Sequence, residues 1–265
     1  MALSLSKEET LSKINLRKEE VHKICLSKSN AGGLGKLGDF AHLTSRVAVV
    51  LDTSGSMSQL YKNGVVQETL ERLLPIAMQF DDDGQMEVWS FDTSPKRLPS
   101  VSINNIYGYI DTYLPYNRIY GGTDYGAAID DIVRKFIDEE PAKLPTYVIF
   151  ITDGETGNKE RARREIIGAS FCPIFWQFVG IGNDKFAFLS ELDSMPGRYV
   201  DNANFLKINN LTTVSDDDIY NGLLFEYPSW LAEPKVQNMI ATGQRVSNSD
   251  GGNASVKKKK LFGFI

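Results

Sequence analysis

Two segments constrain this chain most: "RVAVVLD" (Arg46–Asp52) and "TYVIFITD" (Thr146–Asp153). Each is a near-continuous apolar run that ends in an aspartate. Without alternation of polar and apolar positions, such a run suits a strand buried on both faces, as in a parallel sheet covered by helices on either side. The first run continues as "VVLDTSGSM", and a strand end this crowded with oxygen-bearing side chains needs a physical reason.

The remaining segments fit the same sheet. "MEVWSF" (Met86–Phe91) and "PIFWQFVGIG" read as further strands, "KRLPSV" as an edge strand and "GRYVD" as a short strand. Between them, "QETLERLLPIAMQF" sets Leu70, Leu73, Leu74 and Ala77 at helical spacing, with a kink expected at Pro75. "INNIYGYIDTYL" predicts a short helix. "YGAAIDDIVRKFIDEE" predicts a clearer one, with Ala128, Ile132, Val133 and Phe136 on one face. "KERARREIIGAS", "DKFAFLSELD" and "DDDIYNGLLFEYPSWLAE" complete the helices, the last reaching Trp230. Strands alternating with helices over short connections predict right-handed crossovers and a doubly wound, mostly parallel α/β sheet with helices on both faces. That domain is expected over residues 44–235. Residues 1–43 read as a polar lead-in, with a weak helical pattern over Lys7–Cys25 and a glycine-rich linker over Ser29–Asp39. Residues 236–265 read as a disordered tail that closes on four lysines and an apolar end, Lys257–Ile265.

Composition narrows the function classes. With 265 residues and 42% hydrophobic content the chain can build one sizeable core. A net charge of −5 argues against a general nucleic-acid binder. Cys25 and Cys172 lie far apart and form no CxxC spacing, so neither a disulfide scaffold nor a thiolate zinc site is expected. The opening "MALSLSKEETLSK" lacks an apolar h-region, and no run reaches the roughly 18 apolar residues of a spanning helix. A soluble, cytoplasmic protein is the expectation. The Lys257–Ile265 end admits disorder, weak membrane contact or docking to another protein.

Three loops at predicted strand ends or helix starts carry oxygen ligands. In Asp52-Thr53-Ser54-Gly55-Ser56, alternate side chains can converge on one point. Gly121-Gly122-Thr123-Asp124 offers a hydroxyl just before a helix, and Thr152-Asp153-Gly154 a carboxylate after the most apolar strand. Three hydroxyls and two carboxylates suit Mg²⁺, which takes about six oxygens at about 2.0–2.1 Å and keeps several waters. No histidine or cysteine lies near enough in sequence for zinc chemistry. Taken singly, each loop reads more simply as a turn or a helix cap. Their joint occurrence, in the order one sheet edge requires, favours a shared cation.

"DTSGS", "GGT" and "TDG" together resemble the metal-ion-dependent adhesion site of von Willebrand factor A (vWA) domains, whose pattern is Asp-x-Ser-x-Ser, a distant threonine and a distant aspartate. The likeness covers residue 46 to about residue 230. It implies that Ser54, Ser56 and Thr123 bind the cation directly, that Asp52 and Asp153 act mainly through water, and that a partner's glutamate or aspartate completes the ion. It implies Mg²⁺, with Ca²⁺ or Mn²⁺ able to take its place, and a protein partner. "LERLLPIAMQFDDDGQMEVWSF", "YNGLLFEYPSWL" and the preceding "LRKEEVHKICLSK" are similar, more narrowly, to the Ter-type (TerF-like) vWA proteins of bacterial and phage tellurium resistance and stress response.

Other chemistries find little support. His22 and His42 lie outside the three loops, and neither GxSxG nor GxxxxGK[ST] occurs. A Mg²⁺-dependent phosphoryl-transfer or hydrolytic enzyme is the alternative reading; Asp124 and Glu155 are its only further nearby carboxylates. The acid runs Asp81–Gly84 and Ser215–Asp218 read as a helix end and a helix cap. Tyr61, Tyr116, Tyr120 and Tyr125 flank the loops, either as contact anchors or as ordinary half-buried tyrosines.

Overall fold

The computed structural model describes residues 5–29, 38–209, 211 and 213–246. Six strands form one sheet in the order β3-β2-β1-β4-β5-β6. They are β1 (Arg46–Asp52), β2 (Met86–Phe91), β3 (Pro95–Val101), β4 (Thr146–Thr152), β5 (Ile174–Ile181) and β6 (Ala203–Ile208). All neighbours run parallel except the β2–β3 hairpin, which places the polar β3 antiparallel at the edge. The doubly wound expectation holds.

The pleat explains why β1 and β4 needed apolar residues throughout. Val47, Val49 and Leu51 face one core together with Tyr147, Ile149 and Ile151; Ala48 and Val50 face the other with Val148 and Phe150. Against the first face lie α1 (Lys7–Ser29), α3 (Val65–Phe80), α8 (Asp216–Leu223), α9 (Tyr227–Ala232) and α10 (Pro234–Thr242). Against the second lie α5 (Tyr125–Val133, extended by a π-turn over Arg134–Glu139), α6 (Lys159–Ala169) and α7 (Ala187–Ser194). Two short helices, α2 (Ser58–Lys62) and α4 (Tyr109–Tyr113), complete the order. The chain leaves β1 toward β2 on one side and later enters β4 on the other. The strand order therefore reverses at β1, and a crevice opens outside the carboxyl ends of β1 and β4.

Four expectations are corrected. "GRYVD" is not a strand: Gly197 turns at φ 89°, and the Arg198 guanidinium donates to the carbonyls of Asp193 and Met195. The sixth strand is instead "ANFLKI", paired to β5 from Trp176↔Ala203 onward. The last predicted helix breaks in two. α9 starts anew at Tyr227 with Pro228 in its first turn. A residue without an N–H leaves no helical hydrogen bond unmade there, whereas inside a continuous helix it would. The tail expected from residue 236 begins instead as α10, which buries Val236, Met239 and Ile240 and stops at Gly243 in the left-handed region. Finally, the weak pattern over Lys7–Cys25 is a full helix to Ser29, burying Ile14, Val21, Ile24 and Cys25 in the first core. Residues 30–37 of the expected linker, and the Lys257–Ile265 end, lie outside the described residues.

Candidate metal centre

Asp52 is the last residue of β1 and is 1% exposed. Its Oδ1 accepts the Ser54 N–H at 2.8 Å, folding the chain back over the strand end, and its Oδ2 accepts the Thr152 hydroxyl at 2.6 Å. A 3₁₀ turn over Gly55–Met57 then lifts Ser56 beside Ser54, with the hydroxyls 3.2 Å apart. Ser56 in turn donates to Asp153 Oδ1 at 2.8 Å. Asp52, Ser54, Ser56 and Asp153 are thus joined in one hydrogen-bonded set at the point where the sheet reverses.

Thr123 arrives by a different route. Gly121 takes φ 122°, and its carbonyl accepts the Gly55 N–H at 3.2 Å, bringing the second loop against the first. The Thr123 carbonyl accepts the Gly157 N–H (2.8 Å) and the Thr156 hydroxyl (3.1 Å), tying it to the third loop. Its own hydroxyl has no hydrogen-bond partner among the described residues. Asp124 caps α5 through the Ala127 N–H and accepts from Arg161 at 3.0 Å. Gly126 permits that pair, because a Cβ there would meet Arg161 Cγ at 2.5 Å.

Burial sets the electrostatics. It pushes the Asp52 carboxyl up to about 6, against the hydrogen bonds from Ser54 and Thr152 that favour the ionised form. Asp153 is also raised, first by burial and then by Asp184, with the Ser56 hydroxyl opposing. Two carboxylates with raised protonation and adjoining hydroxyls, and among the described residues no cationic side chain bonded to either, form an all-oxygen donor set suited to a hard cation.

Several supporting residues carried no sequence signal of this role. Thr152 read as a strand residue, yet it bonds Asp52, and its hydroxyl lies 3.1 Å from that of Tyr125. Tyr125 gives its one hydroxyl proton to the Gly154 carbonyl, and Tyr61 donates to the Asp52 carbonyl at 3.0 Å. Both tyrosines are buried, which removes them as contact anchors; Tyr116 and Tyr120 are 54% and 69% exposed. Glu155 pairs with Lys159 at 2.5 Å and Asp124 with Arg161 at 3.0 Å. His22 lies against Gln79 and His42, away from the three loops.

A doubly wound sheet with this loop set at its switch point defines the chain as a vWA domain. More narrowly, the sequence profile of the vWA-TerF-like family, described as the vWA found in the TerF C terminus, matches residues 44–240, and the chain belongs to that family. It is 41% identical over 233 residues to "Uncharacterized protein YcbR" of Bacillus subtilis (strain 168), covering 87% of this chain and 91% of that protein. Its fold is shared with proximal thread matrix protein 1 of the mussel byssus, at TM-score 0.54 and 19% identity, over 69% of this chain and 48% of that one. A second structure of the mussel protein has a zinc-occupied MIDAS motif and superposes equally well. This chain spans about half the length of those mussel chains. Among the described residues no helix is long and apolar enough to cross a membrane.

Proposed function

We propose that the centre holds a divalent cation, Mg²⁺ in the first instance with Mn²⁺ or Ca²⁺ able to replace it, and uses it to grip an acidic side chain of a partner protein. Ser54, Ser56 and Thr123 would hold the ion directly, with Asp52 and Asp153 as the charged support behind them. The observation that carries this reading is the hydrogen-bonded set Asp52–Ser54–Ser56–Asp153 at the reversal point, with the Thr123 loop strapped across it. Each serine hydroxyl there can turn a lone pair to a cation, and a bound cation favours both carboxylates in their ionised form. The ion supplies a local positive charge and an open coordination position on an otherwise acidic protein.

The protein is a binding module and not an enzyme on this reading. Its family extends the proposal to a cytoplasmic role in a tellurium-resistance or stress-response type of system. Zinc in the mussel motif supports divalent occupancy here as well.

The test is thermal unfolding of the full chain with and without Mg²⁺. A ligand that binds only the folded state at about a hundred times its Kd adds ~2.7 kcal/mol. A Mg²⁺-dependent rise in midpoint that disappears in Asp52→Ala and Thr123→Ala is expected. An equal rise in all three proteins sinks the site. Phosphatase activity lost with Asp52→Ala would favour the enzymatic alternative.

A further inference from the structure

Given the metal-dependent grip proposed above, we infer that residues 107–120, together with Lys62, form its specificity rim, and that the partner is an acidic protein segment. One carboxylate of that segment meets the ion, a second meets Arg118 and Lys62, and its apolar parts lie on Tyr116 and Tyr120.

The placement of exposed apolar surface points there. Among the described residues seven large apolar side chains are exposed, and four of them, Tyr107, Tyr113, Tyr116 and Tyr120, sit in this one connection. Aromatic side chains are enriched at protein interfaces, where they add contact area at low entropic cost. The connection is also held in place. Gln67 on α3 donates to the Ile106 carbonyl at 2.7 Å and accepts the Ile110 N–H at 2.9 Å, while Leu114 and Ile119 are buried. A fixed surface loses less entropy on binding.

Its position joins it to the metal loops. The 3₁₀ turn over Tyr116–Arg118 packs on α2, which directly follows Ser54–Met57, and Gly121 then bonds to Gly55. Charge selects the partner. Lys62 and Arg118 are both exposed, and neither makes an ion pair among the described residues of a chain whose net charge is −5. The connection's one acid, Asp111, belongs to α4 and not to the turn on α2. Two cations are too few to hold a nucleic acid against that net charge, but they complement a carboxylate a few residues from the one on the ion.

The experiment pans a displayed random peptide library with a fixed central glutamate against the purified full chain in Mg²⁺. The same selection is made with Lys62→Glu/Arg118→Glu, with Tyr116→Ala/Tyr120→Ala and with Asp52→Ala. All four rim positions are exposed, so unchanged urea midpoints are expected and serve as the folding control. Expected are EDTA-released peptides with further Asp or Glu beside the fixed glutamate. Their binding weakens about tenfold in each rim variant, and the charge reversal abolishes the preference for flanking acids. EDTA-sensitive peptides with neutral or basic flanks, or with equal affinity for the rim variants, overturn the rim while the metal reading stands. Peptides indifferent to EDTA and to Asp52→Ala, or no Mg²⁺-dependent peptide at all, overturn both. Tighter Mg²⁺-dependent binding of a single-stranded oligothymidylate than of the selected peptides overturns the partner class.

Discussion

Thr152 shows how much of the centre depends on one hydroxyl. It donates to Asp52 at 2.6 Å inside the sheet and lies 3.1 Å from the Tyr125 hydroxyl, so it joins a buried carboxylate to the second core. Thr152→Val keeps the shape and removes that donor. Leaving a buried acceptor short of a partner costs about 1–3 kcal/mol, and the loss should appear as a lower urea midpoint at neutral pH. Mg²⁺ affinity by calorimetry should fall with it, because Asp52 loses the bond that orients it. An unchanged midpoint would mean that the Ser54 N–H alone satisfies Asp52. The proposed site was legible where oxygen-bearing residues recur at short spacing: Asp52, Ser54 and Ser56 are neighbours in sequence, and Asp153 ends an unmistakable apolar run. Thr152 and Tyr125 were not legible, because a threonine in a strand and a tyrosine in a helix look like ordinary core until register and crossover bring their hydroxyls together. Tyr61 shows the same limit, since nothing in its spacing distinguishes a buried donor from an exposed anchor.

At the scale of elements, the end of α3 carries a conflict that the sequence announced. Asp81, Asp82 and Asp83 follow the helix C-terminus, where the dipole already disfavours negative charge. Burial, followed by its bonding to Asp83 and the charges of Asp83 and Asp82, pushes the Asp81 carboxyl up to about 7, well above its ordinary 3.8. A carboxyl whose folded pKa exceeds its unfolded one binds protons more readily in the native state. It therefore costs nothing below about pH 4; the cost grows as pH rises through the unfolded value and is complete above about pH 7. Asp81→Asn keeps an oxygen for the Asp83 N–H and removes the charge. It should stabilise the protein at pH 8 by about 1 kcal/mol, a figure reduced for solvent screening of a half-exposed group, and by nothing at pH 4. Urea midpoints of variant and parent at both pH values check the sign. Elements such as α3 and β4 could be read because period and length agreed. "GRYVD" misled because two apolar residues in a loop imitate a strand: Tyr199 stacks on Phe171 and Val200 is buried without any ladder. Likewise α10 escaped notice because its three buried residues stand among polar ones.

At the scale of the whole molecule, α1 belongs to the same folded body as the sheet. The pattern of "KEETLSKINLRKEEVHKICLSKS" is mostly polar, which favoured reading it as a lead-in, but its narrow apolar stripe is fully used. Ile14, Val21 and Cys25 are completely buried in the core that also holds Val49 and Leu74. Polar contacts fix its register: Arg17 donates to Asp216 at 2.8 Å, and the same carboxylate lies 3.1 Å from Arg72 of α3, binding α1, α3 and α8 at one point. The Arg72 guanidinium also donates to the Leu211 carbonyl, so the charge is not left alone in the interior. If α1 were an independent arm, truncating its apolar residues would leave the unfolding of the sheet untouched. If it is part of the core, each truncation removes buried methyl groups and leaves a cavity. Ile14→Ala and Val21→Ala should then each lower global stability by ~2–4 kcal/mol, in a single cooperative transition seen alike by far-ultraviolet circular dichroism and by tryptophan fluorescence. All three tryptophans, Trp89, Trp176 and Trp230, lie outside α1, so their fluorescence reports on the rest of the fold. A fluorescence midpoint unmoved by Val21→Ala, with helical signal lost at lower urea, would separate α1 from the body. A common shift in both signals would establish that the proposed cation face and the amino-terminal helix stand on one core, the helix supporting α3, whose start carries α2 and the loop of Ser54 and Ser56.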